Sequence, residues 1–203
     1  MRFNFFVIAL IFICSNISQA EDLNRRYSIK TGKIEYKISG AENGTETLYF
    51  DNWGAIESRV TKVDVNLPDS PKTSEFKKTL LKDGKSVVVD MINNKGTVAD
   101  NAAALALSGD NAPQAQMSIP TESTIKVAGE ECKVWKSRQL NVETCIWNNI
   151  PLQTTSGAGE TAVTKIATSI NTKDTLPSEA FKLPDNAELT LINVDELFNL
   201  SNG

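Results

Sequence analysis

The stretch KIEYKISGAENGTETLYFDNWGAIESRVTKVDV, residues 33–65, decides the fold class of this chain. Between residues 34 and 38, apolar side chains alternate with charged ones, which is the two-residue period of a half-buried strand. Asn43-Gly44 and the quartet at 51–54 favour turns. The runs that follow each turn are rich in threonine, valine and aromatic residues, which are typical of strands. The stretch therefore predicts a three-stranded meander.

Further strands are predicted on the same grounds along the rest of the chain. They cover residues 76–81, 86–92, 124–127, 131–137, 141–147, 150–155 and 161–173. Pairs such as Asp83-Gly84 and Asn148-Asn149 favour the tight turns between them. Three consecutive valines at 87–89 predict that strand 86–92 is covered on both faces. Residues 66–75 contain two prolines and are expected to form a loop.

One clear helix is predicted at residues 102–107, where the run AAALAL consists of the strong helix formers alanine and leucine. Asp100 or Asn101 can cap its first turn, and Gly109 suits its end. Because the helix is almost entirely apolar, we expect it to be buried. A helical turn at 177–180 and a short terminal helix at 194–200 are also predicted.

The N-terminus has the order of a removable secretory signal. A basic residue is followed by an apolar run at 5–14, and Ser18 and Ala20 have the small side chains of a cleavage site. A membrane-spanning helix needs about 20 apolar residues, so this run is too short for one. Lipid attachment at Cys14 is disfavoured by the bulky residues before it. We expect residues 1–20 to be a signal peptide and 21–203 one domain in the periplasm or secreted.

Two cysteines, Cys132 and Cys145, lie beyond this segment, and an even pair in an exported chain indicates a disulfide. A hairpin that places them opposite each other has its turn at residues 138–139. The same register places Trp135 opposite Val142 and Lys133 opposite Thr144. The cysteines lack the spacing of a redox motif, and zinc needs four ligands, so we expect a structural bridge.

The absence of certain residue types excludes several classes of function. The chain has no histidine, which excludes serine–histidine and cysteine–histidine catalysis. Its net charge of −4 and its lack of basic clusters argue against nucleic acid as a partner. Catalysis by carboxylates stays open, but the acids lie at turns or on wet strand positions and are expected to be solvated: Glu57, Asp64, Asp83, Asp90 and Asp100. We expect no catalytic residue, metal site or cofactor, and no enzymatic activity.

Several segments together resemble a known family. They are YKISG at 36–40, GTETLYFDNWG at 44–54, GEECKVWK at 129–136, IWNNIPL at 146–152 and FKLP at 181–184. Their order resembles exported bacterial proteins of uncharacterised function with a fold akin to the outer-membrane lipoprotein carrier (LolA-like). The resemblance implies a mainly β (α+β) fold, a strongly curved antiparallel sheet forming an unclosed barrel with short helices over its concave face. The helix at 102–107 is the natural lid.

These observations favour a periplasmic binding protein for an apolar or amphipathic ligand such as a lipid, an acyl chain or a lipoprotein. The ligand would lie on the concave β surface, and the candidate lining residues are Val88, Leu105, Leu107 and Ile166. The alternative is an envelope protein-interaction or stress-sensing module without a small ligand. In that case the concavity is ordinary core, and the loop at 110–120 or an edge strand contacts the partner.

Overall fold

The structure is a computed structural model, and it describes residues 25–100, 118–137 and 139–192. Twelve strands form one sheet, with the order β12-β6-β5-β4-β3-β2-β1-β11-β10-β9-β8-β7. The strands are β1 (Gly32–Gly40), β2 (Glu42–Asp51), β3 (Ile56–Val65), β4 (Thr73–Lys82), β5 (Lys85–Asp90), β6 (Lys95–Asp100), β7 (Ile119–Val127), β8 (Glu130–Ser137), β9 (Val142–Trp147), β10 (Ile150–Ser156), β11 (Val163–Asn171) and β12 (Glu188–Ile192).

The pairing confirms the predicted meander and the mainly β class. Neighbouring strands are antiparallel, except that β12 lies parallel to β6. The sheet does not close, since β7 stands at one end of the order and β12 at the other. Two features were missed by the pattern: the strand β6, and the addition of β12 beside it. A parallel partner from a distant part of the chain leaves no local signal in either strand.

The sheet curls so that one of its faces becomes an interior. A single core cluster joins Ile34 of β1 and Leu48 of β2 with Val134 of β8 and Ile150 of β10. Strands β2 and β8 are five steps apart in the order, which is roughly 24 Å along a flat sheet at the usual strand spacing. Their side chains can meet only where the sheet bends around them. We call the face that carries Ile34 and Leu48 the concave face.

The opposite, convex face of β3–β6 has an apolar layer of its own. Leu80, Val87 and Val89 are buried there, with exposed fractions of 7%, 9% and 0%. The chain between β11 and β12 crosses this layer, and the ammonium of Lys78 donates to the carbonyl of Glu179 at 3.4 Å. Strand β5 is therefore covered on its convex side. The prediction that it is covered on both faces is wrong at Val88, which is 37% exposed on the concave side.

Short helices over the concave face are not supported by the described residues. Within the described ranges the helical segments are three 3-10 turns, Asn52–Gly54, Gly159–Thr161 and Ser178–Phe181. The last of these confirms the helical turn predicted at 177–180, but it packs beside Lys78 on the convex face. The predicted helices at 102–107 and 194–200 lie outside the described residues. Among the helical segments of residues 25–100, 118–137 and 139–192, none has the length and apolar character needed to cross a membrane.

Cys132 and Cys145 form the predicted disulfide, with their Cα atoms 5.3 Å apart. The predicted hairpin register is wrong by two residues: Val134 lies opposite Cys145, and Trp135 lies opposite Thr144. The bridge therefore joins a diagonal pair. Side chains alternate with period two, so this shift keeps both cysteines on the same face. The turn moves toward Asn141, whose positive φ of 49° suits asparagine.

Removing the bridge tests its share of the stability. The Cys132→Ala/Cys145→Ala double variant should unfold with a free energy lower by about 3 kcal/mol, the value expected from chain entropy for so short a loop. Urea denaturation followed by tryptophan fluorescence measures the difference, and the reduced wild-type protein is the matched control. A loss below about 1 kcal/mol in both would contradict this role for the bridge.

Candidate functional site

A cluster of charged side chains lies on the concave face, beside the apolar core. Strands β2 and β3 pair so that Glu46, Arg59 and Glu57 all point to this side, in line with Leu48 and Phe50. The carboxylates are almost completely withdrawn from solvent, with exposed residue fractions of 6% for Glu46 and 5% for Glu57. Buried charges are costly unless they are paired, so their partners decide what the cluster can do.

Glu57 is held by three groups. Its Oε2 accepts the hydroxyl of Tyr27 at 2.5 Å and lies 3.2 Å from the guanidinium of Arg26. Its Oε1 accepts Nε–H of Arg59 at 2.6 Å. Each carboxylate oxygen thus contacts a guanidinium group, and Oε2 also accepts a hydroxyl. Tyr27 itself is 2% exposed, and its ring meets that of Phe50 edge to face with centroids 4.9 Å apart.

Glu46 continues the same cluster toward β11. Its Oε1 accepts Arg59 Nη1 at 3.0 Å and the ammonium of Lys165 at 3.2 Å, while its Oε2 accepts the hydroxyl of Thr61 at 3.1 Å. Arg59 therefore bridges both carboxylates. The Lys165 ammonium also lies 5.4 Å from the ring centroid of Tyr36, within the range of a cation–π contact.

The electrostatics of the cluster favour a permanently ionised Glu57. Burial raises the pKa of this carboxyl, but the charges of Arg59 and Arg26 and the hydrogen bonds from Tyr27 and Arg59 outweigh it, so the pKa lies below its ordinary value of 4.5. Burial, followed by the charge of Glu57, raises the pKa of Tyr27. A general acid or base works best with a pKa near the working pH. Both shifts move the pKa values of these groups further from pH 7. The cluster is therefore suited to stabilising the fold rather than to transferring protons.

The prediction that Glu57 is solvated is wrong. Glu57 lies on the concave side of β3, two residues before Arg59, which donates to it. It also accepts the hydroxyl of Tyr27, a residue of the segment before β1. A Glu-x-Arg spacing on the strand face that also carries the buried Val63 was the available signal. Asp64 and Asp83 are exposed and Asp90 is half-buried, while the side chain of Asp100 lies outside the described part of the chain.

Beyond the charged cluster, the concave face becomes accessible. One transverse row runs from Leu48 through Arg59 and Thr79 to Val88, and then to Thr97 and Thr190. Leu48 is fully buried, whereas Val88, Thr97 and Thr190 are exposed. The neighbouring row adds Leu81 and Ile192, both half-buried. Between Leu81 and Ile192 this second row carries the buried Ser86 and Ala99. We call the accessible side chains of the two rows on β4, β5, β6 and β12 the open trough: Thr79, Leu81, Val88, Thr97, Thr190 and Ile192.

Of the four predicted lining residues, Val88 and Ile166 lie in the described part of the chain. Val88 lies in the open trough. Ile166, on β11, is partly buried and packs against the core cluster. Five strand steps separate β5 from β11 in the sheet order, and the surroundings of the two residues differ, since Val88 is exposed and Ile166 is partly buried. Leu105 and Leu107 lie outside the described residues. Across the described ranges, no group of three or more side chains is arranged to hold a metal ion.

No protein-family model matches the sequence, and no characterised protein matches it closely enough to be recognised as a relative. Among solved structures, the fold is similar to an uncharacterised conserved protein from Thermus thermophilus. That superposition has a TM-score of 0.53 at 10% sequence identity and covers 86% of this chain and 100% of the other.

MucB of Pseudomonas aeruginosa, solved with MucA, gives a TM-score of 0.49 at 12% identity over 86% of this chain and 64% of that one. LprF from Mycobacterium bovis gives 0.37 at 10% identity, over 83% and 97%. Both scores lie below 0.5, so neither protein supplies an argument about this chain. The Thermus likeness shows a shared fold and nothing about function.

Glu57→Gln tests the charged cluster through pH. Because the folded-state pKa of Glu57 is lowered, its ionised form stabilises the fold above its ordinary pKa, and this contribution is lost as the pH falls through the lowered value. We expect Glu57→Gln to lose about 3 kcal/mol at pH 7 and less at pH 3, because the wild type weakens with acid. Urea denaturation at pH 7, 5 and 3 measures this.

Glu179→Gln is the matched control for Glu57→Gln, because the Glu179 side chain is 73% exposed and its ion pair with Lys182 lies on the surface. It should change stability by less than about 1 kcal/mol at every pH. Parallel pH curves for Glu57→Gln and the wild type would refute a stabilising role for the ionised carboxylate.

Proposed function

We propose that this protein is an exported, non-catalytic binding protein that holds an apolar or amphipathic ligand in the open trough. The observation that supports this most directly is Val88. It is 37% exposed on the concave face of β5, in the same row as the fully buried Leu48. Concave surfaces with apolar side chains and a few polar groups are the usual form of a small-molecule site.

The composition of the open trough indicates the class of ligand. Its accessible side chains in these two rows are aliphatic or threonine, so they offer methyl groups together with hydroxyls. The next row on the same face is charged, with Lys77, Asp90, Lys95 and Glu188. The inner end of the open trough meets the ionic cluster at Arg59, which directly precedes Thr79 in the row. A molecule with an apolar body and a polar end fits both parts. The LolA-like half-barrel that the sequence resemblance implies is compatible with this open, curled sheet, and in that carrier the concavity holds acyl chains.

Export is supported by the disulfide. Disulfides persist in oxidising compartments and are rare in the cytosol, and Cys132–Cys145 is buried, with both residues at 2% exposure or less.

The proposed lack of catalysis is based on the contacts of the two buried carboxylates. Glu46 and Glu57 are both engaged by arginine, so neither is arranged as the proton donor that paired-carboxylate hydrolysis requires.

Val88→Asp should weaken ligand uptake by at least about tenfold, since it places a charge where apolar contact is proposed. The matched control is Leu191→Asp, which introduces the same charge at a residue 68% exposed on the convex face of β12, two strands away from β5. A dansylated fatty acid is the probe, and native mass spectrometry of gently purified protein looks for bound lipid. Absence of both uptake and co-purified lipid in the wild type, or equal losses in both variants, would refute the proposal.

A second function, contact with an envelope protein, is favoured by strand β7. This strand ends the sheet order and, in the ranges described, pairs with β8 alone. Ile119 and Ile125 are exposed on it, at 73% and 37%. Exposed edge strands are templates for the addition of an extended segment from another chain.

A photo-crosslinking residue at position 119 should give one specific protein adduct in cells if β7 is such a template. The same residue at Asp83, on the exposed tip of the β4–β5 hairpin, is the control and should give none. Equal adduct patterns from both positions would show nonspecific contact and exclude a dedicated partner at β7.

A further inference from the structure

The segment before β1, residues 25–31, ties together two distant parts of the sheet; we call it the strap. The amides of Arg26 and Tyr27 donate to the carbonyl of Trp53 at 2.9 and 3.0 Å, and the Trp53 amide donates back to Lys30. One residue further on, the amide of Ser28 donates to the carbonyl of Asn148 at 3.0 Å. The strap thus joins the β2–β3 connection to the β9–β10 connection.

These two connections belong to strands that do not pair with each other. In the sheet order, β1 and β11 lie between β2 and β10, so the span is three strand steps, or roughly 15 Å at the usual spacing. The strap therefore crosses one end of the curled part of the sheet. It lies over the core that β2 shares with β10, which includes Phe50 and Ile150.

Tyr27 anchors the strap in that core. Its ring is buried against Phe50, and its hydroxyl reaches Glu57 at the edge of the ionic cluster. The β2–β3 connection is shaped to receive it. Gly54 has a φ of +83°, and a Cβ at this position would lie 2.7 Å from Tyr27 Cδ2. A glycine here provides both the left-handed turn and the space for the tyrosine ring.

The strap differs from the strands in how it is fastened. Strand β3 pairs residue by residue with β2 and β4 along its whole length. The strap contacts the sheet through turns, through the buried Tyr27 and the partly buried Ile29, through the hydroxyl of Thr31, which donates to the Phe50 carbonyl, and through the ion pair of Arg26 with Glu57. Segments fastened in this way open locally at lower free energy than central strands do.

We infer that the strap is a latch on one end of the curled sheet. It opens as a unit without unfolding of β3 and β4, and its opening exposes the core between β2 and β10. The function of this device is access to the packed half of the concave face, which is separate from the open trough. The hydrogen bond between Tyr27 and Glu57 sets how often it opens.

Native-state hydrogen exchange tests the latch without any ligand. In the wild type, the amides of Tyr27 and Ser28 should exchange at least tenfold faster than central amides of β3 and β4. Tyr27→Phe removes one hydrogen bond to a charged group and keeps the ring, so strap exchange should rise by roughly tenfold or more, with β3 and β4 nearly unchanged. Fluorescence of 8-anilinonaphthalene-1-sulfonate should rise in parallel as the core is exposed.

Tyr49→Phe is the matched control, because it makes the same chemical change one residue before Phe50, and neither readout should move. Arg26→Gln is a second variant, to be used if Tyr27→Phe does not fold. It should also speed the exchange of the strap amides. If the strap amides exchange at the same rate as those of β3 in the wild type, the strap opens only in global unfolding and the inference is wrong. This outcome does not depend on whether the open trough binds lipid.

Discussion

The structure depends on the contact between the buried side chains of β1–β2 and those of β8–β10. This contact bends a twelve-stranded sheet so that one face becomes an interior. Strand pairing alone gives a sheet its twist, but it gives no reason for one face rather than the other to become an interior. Burial of apolar area on one face supplies the reason, and the diagonal disulfide of β8 and β9 holds part of that face covalently.

The charged cluster marks the border of this interior. From Leu48 to Arg59 the row passes directly from a fully buried leucine to a buried guanidinium that contacts both Glu46 and Glu57. A buried ion pair is weak evidence for stability, because desolvation offsets much of the attraction. Loss of one member is costly all the same, since it leaves the other charge buried without its partner. The cluster therefore fixes where the apolar core ends more than it strengthens the fold.

The local sequence pattern predicted most of the strands, because apolar and charged side chains alternate clearly in stretches such as residues 34–38. It predicted the pair Cys132–Cys145 but misplaced the hairpin by two residues, because a shift of two preserves every side chain's face and leaves the pattern unchanged. It missed β12, whose partner β6 is nearly 90 residues earlier in the chain and parallel to it. It missed the burial of Glu57, since that depends on Tyr27 and Arg26 arriving from a separate segment.

The position of the border constrains any ligand of the concave face. The apolar core occupies the side of β1 and β2, so a molecule in the open trough can extend inward only as far as Arg59 and its carboxylates. A wholly apolar molecule would gain from contact with Val88 and Leu81 but would also cover ionic groups at its inner end. The Arg59 side chain is 11% exposed, and covering this remaining polar surface without a hydrogen-bonding group in the ligand is unfavourable. A molecule with a polar end directed at the cluster would avoid this cost, so the residues that end the core favour the proposed amphipathic ligand over a wholly apolar one.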